Sequence, residues 1–194
     1  EDLVANGDIA ISNNTITTVN VSLAGDLVVA DGITAFAADS FKNCSELTAI
    51  YIPESLTTSA AGAFTGCTSL TKAYITSMEA WLNIDFENQS AYPLSNAMTE
   101  PTSQADILNV EILGELYLNN KLVTSVTIPN SVTTIGIGAL AFLKDLETVT
   151  FHNGISEIGD AAFMGSGIAG ELIIPEGVTS VGESAFTFCQ NITS

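Results

Sequence analysis

Ile50-Tyr51-Ile52-Pro53, followed by Leu56, Ala63-Phe64, Cys67 and Leu70, is the stretch on which the fold turns. Moved back by 23 positions it lies over Leu27-Val28-Val29, Ile33, Ser40-Phe41, Cys44 and Leu47. The same order returns downstream, again at intervals of 23: Val126-Thr127-Ile128-Pro129 with Val132, Ile135 and Gly136; Val149-Thr150-Phe151 with Ile155, Ile158 and Gly159; Leu172-Ile173-Ile174-Pro175 with Val178, Val181 and Gly182. Ala139-Leu140, Ala162-Phe163 and Ala185-Phe186 keep the register farther along each unit. A fixed period of this length marks a solenoid, in which no unit can bury its apolar side alone and stacked neighbours share one core.

Each unit opens on an apolar-x-apolar triplet that Pro commonly closes, which predicts a short strand with a hard stop. The later Ala-Phe-x-x-Cys spacing of three and four predicts one or two helical turns. Stacking then pairs the strands in parallel, and equivalent inward residues form columns. Ile52, Ile128, Phe151 and Ile174 are expected in one column; Phe41, Phe64, Leu140, Phe163 and Phe186 in another. Cys44, Cys67 and Cys189 share a third with Leu143 and Ser166, a pattern that fits a small buried slot better than a metal or disulfide.

The unit read in Leu47 to Cys67 and in Leu172 to Cys189 resembles the BspA-like class of leucine-rich repeats, over roughly residues 24–77 and 122–194. Leu140 for Phe, His152 for Pro, and Leu143 and Ser166 for Cys depart from the pattern without disturbing it. The fold expected is an α/β repeat: a right-handed leucine-rich-repeat solenoid with short parallel strands and short helical or irregular convex segments. The resemblance implies a bacterial or protist cell-surface or secreted protein, often one array in a longer chain, that adheres to host or neighbouring-cell proteins.

Residues 1–23 read as an N-terminal capping segment, with alternation from Ile16 to Val21, and Asn191-Ile192-Thr193-Ser194 starts a further unit, so the array is expected to continue. Between Leu70 and Val123 the register slips by seven, which places an insert at 78–121. Met78 to Leu82 predicts a helical turn, and Tyr92-Pro93 through Pro101 is turn-rich. Leu116-Tyr117-Leu118, Asn119-Asn120 and Leu122-Val123 predict a hairpin, and the insert is expected to pack on the stack and swing one strand outward. Trp81 and Phe86 either belong to a functional addition or seal the local core.

Acidic residues number 22 against four lysines (Lys42, Lys72, Lys121, Lys144) and no arginine, a formal charge of −18. That field repels nucleic acid and anionic lipid. No stretch reaches the roughly 20 apolar residues of a bilayer span, and Glu1-Asp2-Leu3 is unlike a signal peptide. Chemistry is hard to find. His152, the one histidine, stands at a strand-end corner without a nucleophile-elbow motif. The cysteines lack zinc spacing, no calcium loop is present, and no cofactor is implied. Acids such as Asp31, Glu54, Glu157, Asp160, Glu176 and Glu183 lie beside turns, although a coincidental glycosidase pair stays open. Gly136, Gly159 and Gly182 mark corners that need unusual backbone angles or close approach. Sequons at Asn13, Asn20, Asn43, Asn88 and Asn191 acquire meaning only in a eukaryotic secreted chain.

Strand alternation turns Val28, Tyr51, Tyr74, Thr127, Thr150 and Ile173 outward. Tyr51 and Tyr74 are interface anchors by type. The reading that leads is a monomeric, non-catalytic, extracellular or cell-surface protein that binds an extracellular or host-surface protein through Tyr51, Tyr74, Thr127, Thr150 and Ile173. A carbohydrate- or cell-wall-binding module comes second and would engage Trp81, Tyr92 or the tyrosines of the stripe. A glycoside-acting enzyme comes third.

Overall fold

The computed structural model describes residues 8–96 and 112–193. Its strands are β1 (Ile9–Ser12), β2 (Thr15–Val19), β3 (Gly25–Val28), β4 (Ala35–Phe36), β5 (Leu47–Tyr51), β6 (Thr58–Ser59), β7 (Lys72–Ile75), β8 (Asp85–Phe86), β9 (Glu115–Leu118), β10 (Lys121–Leu122), β11 (Ser125–Thr127), β12 (Thr134–Ile135), β13 (Thr148–Thr150), β14 (Glu157–Ile158), β15 (Ala169–Glu171), β16 (Ser180–Val181) and β17 (Asn191–Thr193). Successive coils give one strand to each of two stacks. In one stack β2, β4, β6 and β8 pair in parallel, with β12, β14 and β16 as a separate run. In the other, β3, β5, β7 and β9 pair in parallel, followed by β11 with β13 and by β15 with β17. At the N-terminal end β1 folds back antiparallel on β2 through Asn13 and Asn14, both at positive φ, as a tight hairpin requires.

Apart from Ile174, the predicted columns pack in or against the core. Phe41 stacks on Phe64 at 4.7 Å between centroids, and Phe163 on Phe186 at 5.2 Å. Cys44 and Cys67 are buried free thiols, and burial pushes Cys67 up to about 12. The Cys67 thiol donates to the carbonyl of Phe41 at 3.1 Å, and Cys189 repeats this on Phe163 at 3.0 Å. The slot is thus a thiol sealed against the preceding coil.

Two expectations fail locally. Helical turns were expected beside each Phe column, yet among the described residues helix is confined to α1 (Met78–Leu82) and a 3-10 turn, Gln89–Ala91, both in the insert. Elsewhere the repeating segment is a run of tight turns. Five coils carry two positive-φ residues four apart: Asp39 and Asn43, Gly62 and Gly66, Gly138 and Phe142, Ala161 and Gly165, Ser184 and Phe188. Left-handed residues at that interval break any helix, so the architecture is a parallel-β solenoid joined by turns and the α/β description holds only in part. The second failure is Leu172-Ile173-Ile174, which forms no strand. Gly170 at φ 78 redirects the chain, the strand falls at Ala169–Glu171, and Ile174 is 37% exposed instead of sealed in its column.

The insert is also built differently from the expectation. Instead of swinging out, Leu116-Tyr117-Leu118 lies in β9, in parallel register with β7. Inward residues Leu27, Ile50, Ala73 and Leu116 therefore follow at 23, 23 and 43 positions. One coil has been lengthened, with β8 still stacked on β6. Beyond β9, the turn at Asn119-Asn120 gives β10, antiparallel to β9, and β11 opens the next sheet. The turn-rich reading of 92–101 lies outside the described residues from position 97 onward.

Side chains splice the two halves. In regular coils, turn N–H groups donate to the next coil: Phe41 to Ala63 O, Asn43 to Thr65 O, Leu140 to Ala162 O, Phe142 to Met164 O. The equivalent carbonyls where the arrays meet belong to Ala139 and Ala141. They accept instead from the indole N–H of Trp81 at 2.9 Å and the hydroxyl of Tyr92 at 3.1 Å. With Phe86 these rings form an edge-to-face trio at 5.3–5.7 Å. α1 aims Trp81 inward, its first turn capped by the Ser77 hydroxyl, which accepts from Ala80 N at 3.1 Å.

Gly159 and Gly182 recur for close approach. A Cβ on Gly159 would lie 3.0 Å from the backbone of Ile135 and Gly136, and one on Gly182 would strike Gly159 and Asp160.

Candidate functional site

Parallel register across β3, β5, β7 and β9, with β10 at the edge, lines up Val28, Tyr51, Tyr74, Tyr117 and Leu122 on the outward face. Strand alternation requires this, because Leu27, Ile50, Ala73 and Leu116 beside them point into the core. Val28 is 69% exposed at one end of the row and Leu122 is exposed at the other.

The three tyrosines form a ladder. Tyr51 stacks on Tyr74 at 4.3 Å and 8°, and Tyr74 on Tyr117 at 4.7 Å and 17°. The stacking direction follows the strand-to-strand direction, so both faces of Tyr74 are covered by its neighbours. What the ladder offers outward is ring edges and hydroxyls.

Charges hold one end of it. The Tyr117 hydroxyl donates to Glu115 Oε2 at 2.7 Å, and Lys144 Nζ lies 2.7 Å from Glu115 Oε1 and 3.1 Å from Asp145. That bond to Glu115, with burial and nearby negative charge, pushes the Tyr117 phenol up to about 12. Partial burial and the charges of Tyr51, Asp26 and Glu115 raise Tyr74 as well. For Glu115, burial pushes upward, but the bonds from Lys144 and Tyr117 outweigh it and hold the carboxyl low. Beyond the C-terminal ends of the strands, Asp31, Glu54, Ser55 and Thr76 line an open depression of about 520 Å³, in which Thr76 donates to Glu54 at 2.7 Å.

The structure gathers some of the anticipated residues and separates others. Tyr51 and Tyr74 are adjacent. Thr127 and Thr150 are exposed and paired, but in a different, two-stranded sheet. Ile173 is 72% exposed yet pairs with neither. Trp81 is buried, 1% exposed, and Tyr92 has no accessible surface, so neither presents its ring to the outside. Their indole and phenol groups serve the splice described above. Tyr117 was missed, although Leu116-Tyr117-Leu118 repeats the apolar-Tyr-apolar order of Ile50-Tyr51-Ile52 and Ala73-Tyr74-Ile75.

Groups with chemical potential elsewhere are engaged in the fold. His152 Nε2 meets the carbonyls of Pro129 and Val132 at 3.1 and 3.0 Å, while Nδ1 accepts from Gly154 N, so the ring replaces a corner proline and carries its proton on Nε2. Glu87, Asp160 and Glu183 line one open depression, but Glu87 accepts from Ala61 N and Asp160 from Glu183 N, both at 2.8 Å. Among the described residues no three His, Cys, Asp or Glu side chains converge as metal ligands would.

The BspA-type leucine-rich repeat region matches residues 8–92 and 111–194 in six copies. A solved leucine-rich cell surface protein from Faecalibacterium prausnitzii is similar at 22% identity and a TM-score of 0.57, over 96% of this chain and 51% of that one. A leucine-rich repeat protein from Eubacterium ventriosum aligns at 25% identity and a TM-score of 0.49, over 88% and 42% respectively. The chain thus spans about half the length of these solved relatives. No curated protein matches it.

Proposed function

The chain belongs to the BspA-type leucine-rich repeat family, and on that premise we propose that it is a non-catalytic interaction module that binds a partner protein outside the cell or at its surface. One observation carries the reading: Tyr51, Tyr74 and Tyr117 are held in register on a rigid sheet, partly exposed, between exposed Val28 and Leu122. Stacking already restricts their rotamers, so little side-chain entropy is left for a partner to quench. Tyrosine is also, with tryptophan and arginine, among the residue types enriched at interface anchors. The surface placement finds support in the Faecalibacterium protein, itself a cell surface protein of the same fold.

The ladder favours protein over sugar. Carbohydrate platforms need open ring faces, whereas these faces are turned toward one another and the edges and hydroxyls remain for polar, shaped contacts. The experiment is retention of wild-type protein and of a Tyr51→Ser/Tyr74→Ser variant on arrays of extracellular proteins and of glycans, with circular dichroism to establish that both are folded. The reading expects a protein ligand whose affinity falls about tenfold or more in the variant. Equal binding by the two proteins removes the ladder from the site, and retention on glycans alone transfers the reading to a carbohydrate module.

A further inference from the structure

We infer that the occupant of the tyrosine ladder is an extended, lysine- or arginine-rich segment of the partner protein. The inference rests on the interaction reading above and deepens it. Its first support is shape. Five strands spaced at about 4.8 Å make a stripe about 19 Å long and one side chain wide. That is the length of about six residues of extended chain at about 3.3 Å each.

The second support is the charge along both borders. Two residues before the ladder, the row in register holds Asp26, the buried Ala49, Lys72 and Glu115, whose carboxylate is taken up by Lys144. Three residues beyond the ladder, Asp31 and Glu54 line the open depression, where Glu54 accepts from Thr76. Asp26, which accepts from Thr48 at 3.0 Å, and Asp31 and Glu54 take part in none of the ion pairs among the described residues, and Lys72 is the one cation in the row. A chain laid on the stripe strips water from these carboxylates. A neutral or acidic chain leaves that loss uncompensated, while ammonium or guanidinium groups replace the lost hydration with charge-assisted bonds.

The third support is the hydrogen-bond polarity of the ladder itself. Tyr117 gives its hydroxyl proton to Glu115, so toward a ligand its oxygen offers lone pairs, which a cationic N–H donor satisfies. The formal charge of −18 over the whole chain then draws a basic segment in and repels an acidic one.

Three short fluorescent peptides test this, identical except for Lys, Ser or Glu at alternate positions, with anisotropy read on the intact chain. The lysine peptide is expected to bind, the glutamate peptide to fail, and binding of the lysine peptide to weaken about tenfold when salt rises from about 0.05 to 0.5 M. Asp31→Asn/Glu54→Gln should weaken it several-fold, as should Tyr51→Ser/Tyr74→Ser. A Glu157→Gln/Glu176→Gln variant, altered away from the stripe, should bind as wild type. Equal loss in that control shows unspecific charge attraction and overturns the inference, as does binding of none of the peptides. Binding of the serine peptide as tightly as the lysine peptide, lost in the tyrosine variant, also overturns the basic-segment inference while the protein-binding reading survives.

Discussion

Tyr92→Phe isolates the splice between the two halves of the solenoid. The substitution keeps the ring, and with it the edge-to-face contacts to Trp81 at 5.7 Å and Phe86 at 5.3 Å, and deletes one oxygen. Ala141 is fully buried, and the Tyr92 hydroxyl is the donor to its carbonyl at 3.1 Å. Removing that donor strands a buried acceptor, which costs about 1–3 kcal/mol. Trp81→Phe strands Ala139 O in the same way and also opens space beside the ring, for a total of about 2–4 kcal/mol. Urea unfolding followed by circular dichroism measures both, with the slope of the transition unchanged for Tyr92→Phe because no additional surface is exposed. Trp81→Ala removes a ring as well as the donor, and its unfolding should divide into two transitions as the arrays uncouple. A Tyr92→Phe midpoint equivalent to less than about 0.5 kcal/mol of destabilisation would refute the argument, because the carbonyl would then have no need of the phenol.

Phe163→Ala empties a site between Phe151 and Phe186 and should cost about 3–5 kcal/mol in the same assay. Gly159→Ala forces a methyl to within 3.0 Å of the Ile135–Ile137 backbone and should cost about 1–3 kcal/mol, read as a lowered thermal midpoint. Spectrophotometric titration should show one phenol, Tyr117, ionising near 12, and Glu115→Gln should bring it down toward the ordinary value. Because the folded phenol holds its proton more tightly than the unfolded one, this stabilisation is complete below about pH 10 and is lost as pH rises toward 12.

The columns were legible because identical side chains recur at one interval, and burial of Phe41, Phe64, Leu140 and Phe163 follows from that spacing. The turns were not, since an apolar spacing of three and four arises equally from a helix and from paired left-handed residues; only Gly62 with Gly66 among the five pairs announces its conformation by residue type. Phe142 and Phe188 at positive φ are hidden entirely, because bulky residues rarely take that conformation. Half of the site was visible. Tyr51 and Tyr74 were found through the period, whereas Tyr117 stands 43 positions beyond Tyr74 and was assigned to a strand leaving the array. Trp81 and Tyr92 resembled ligand-binding aromatics because their true partners, two carbonyls of the following coil, carry no sequence signal at all.

Tyrosines from a regular pair of coils and from the far end of a lengthened one share a single outward stack. Nuclear Overhauser contacts between aromatic ring protons measure it directly. Ring protons of Tyr74 should contact those of both Tyr51 and Tyr117, at the separations that centroid distances of 4.3 and 4.7 Å impose. Contacts from Tyr74 to Tyr51 alone, with Tyr117 showing none, would contradict the ladder and the interaction surface drawn from it.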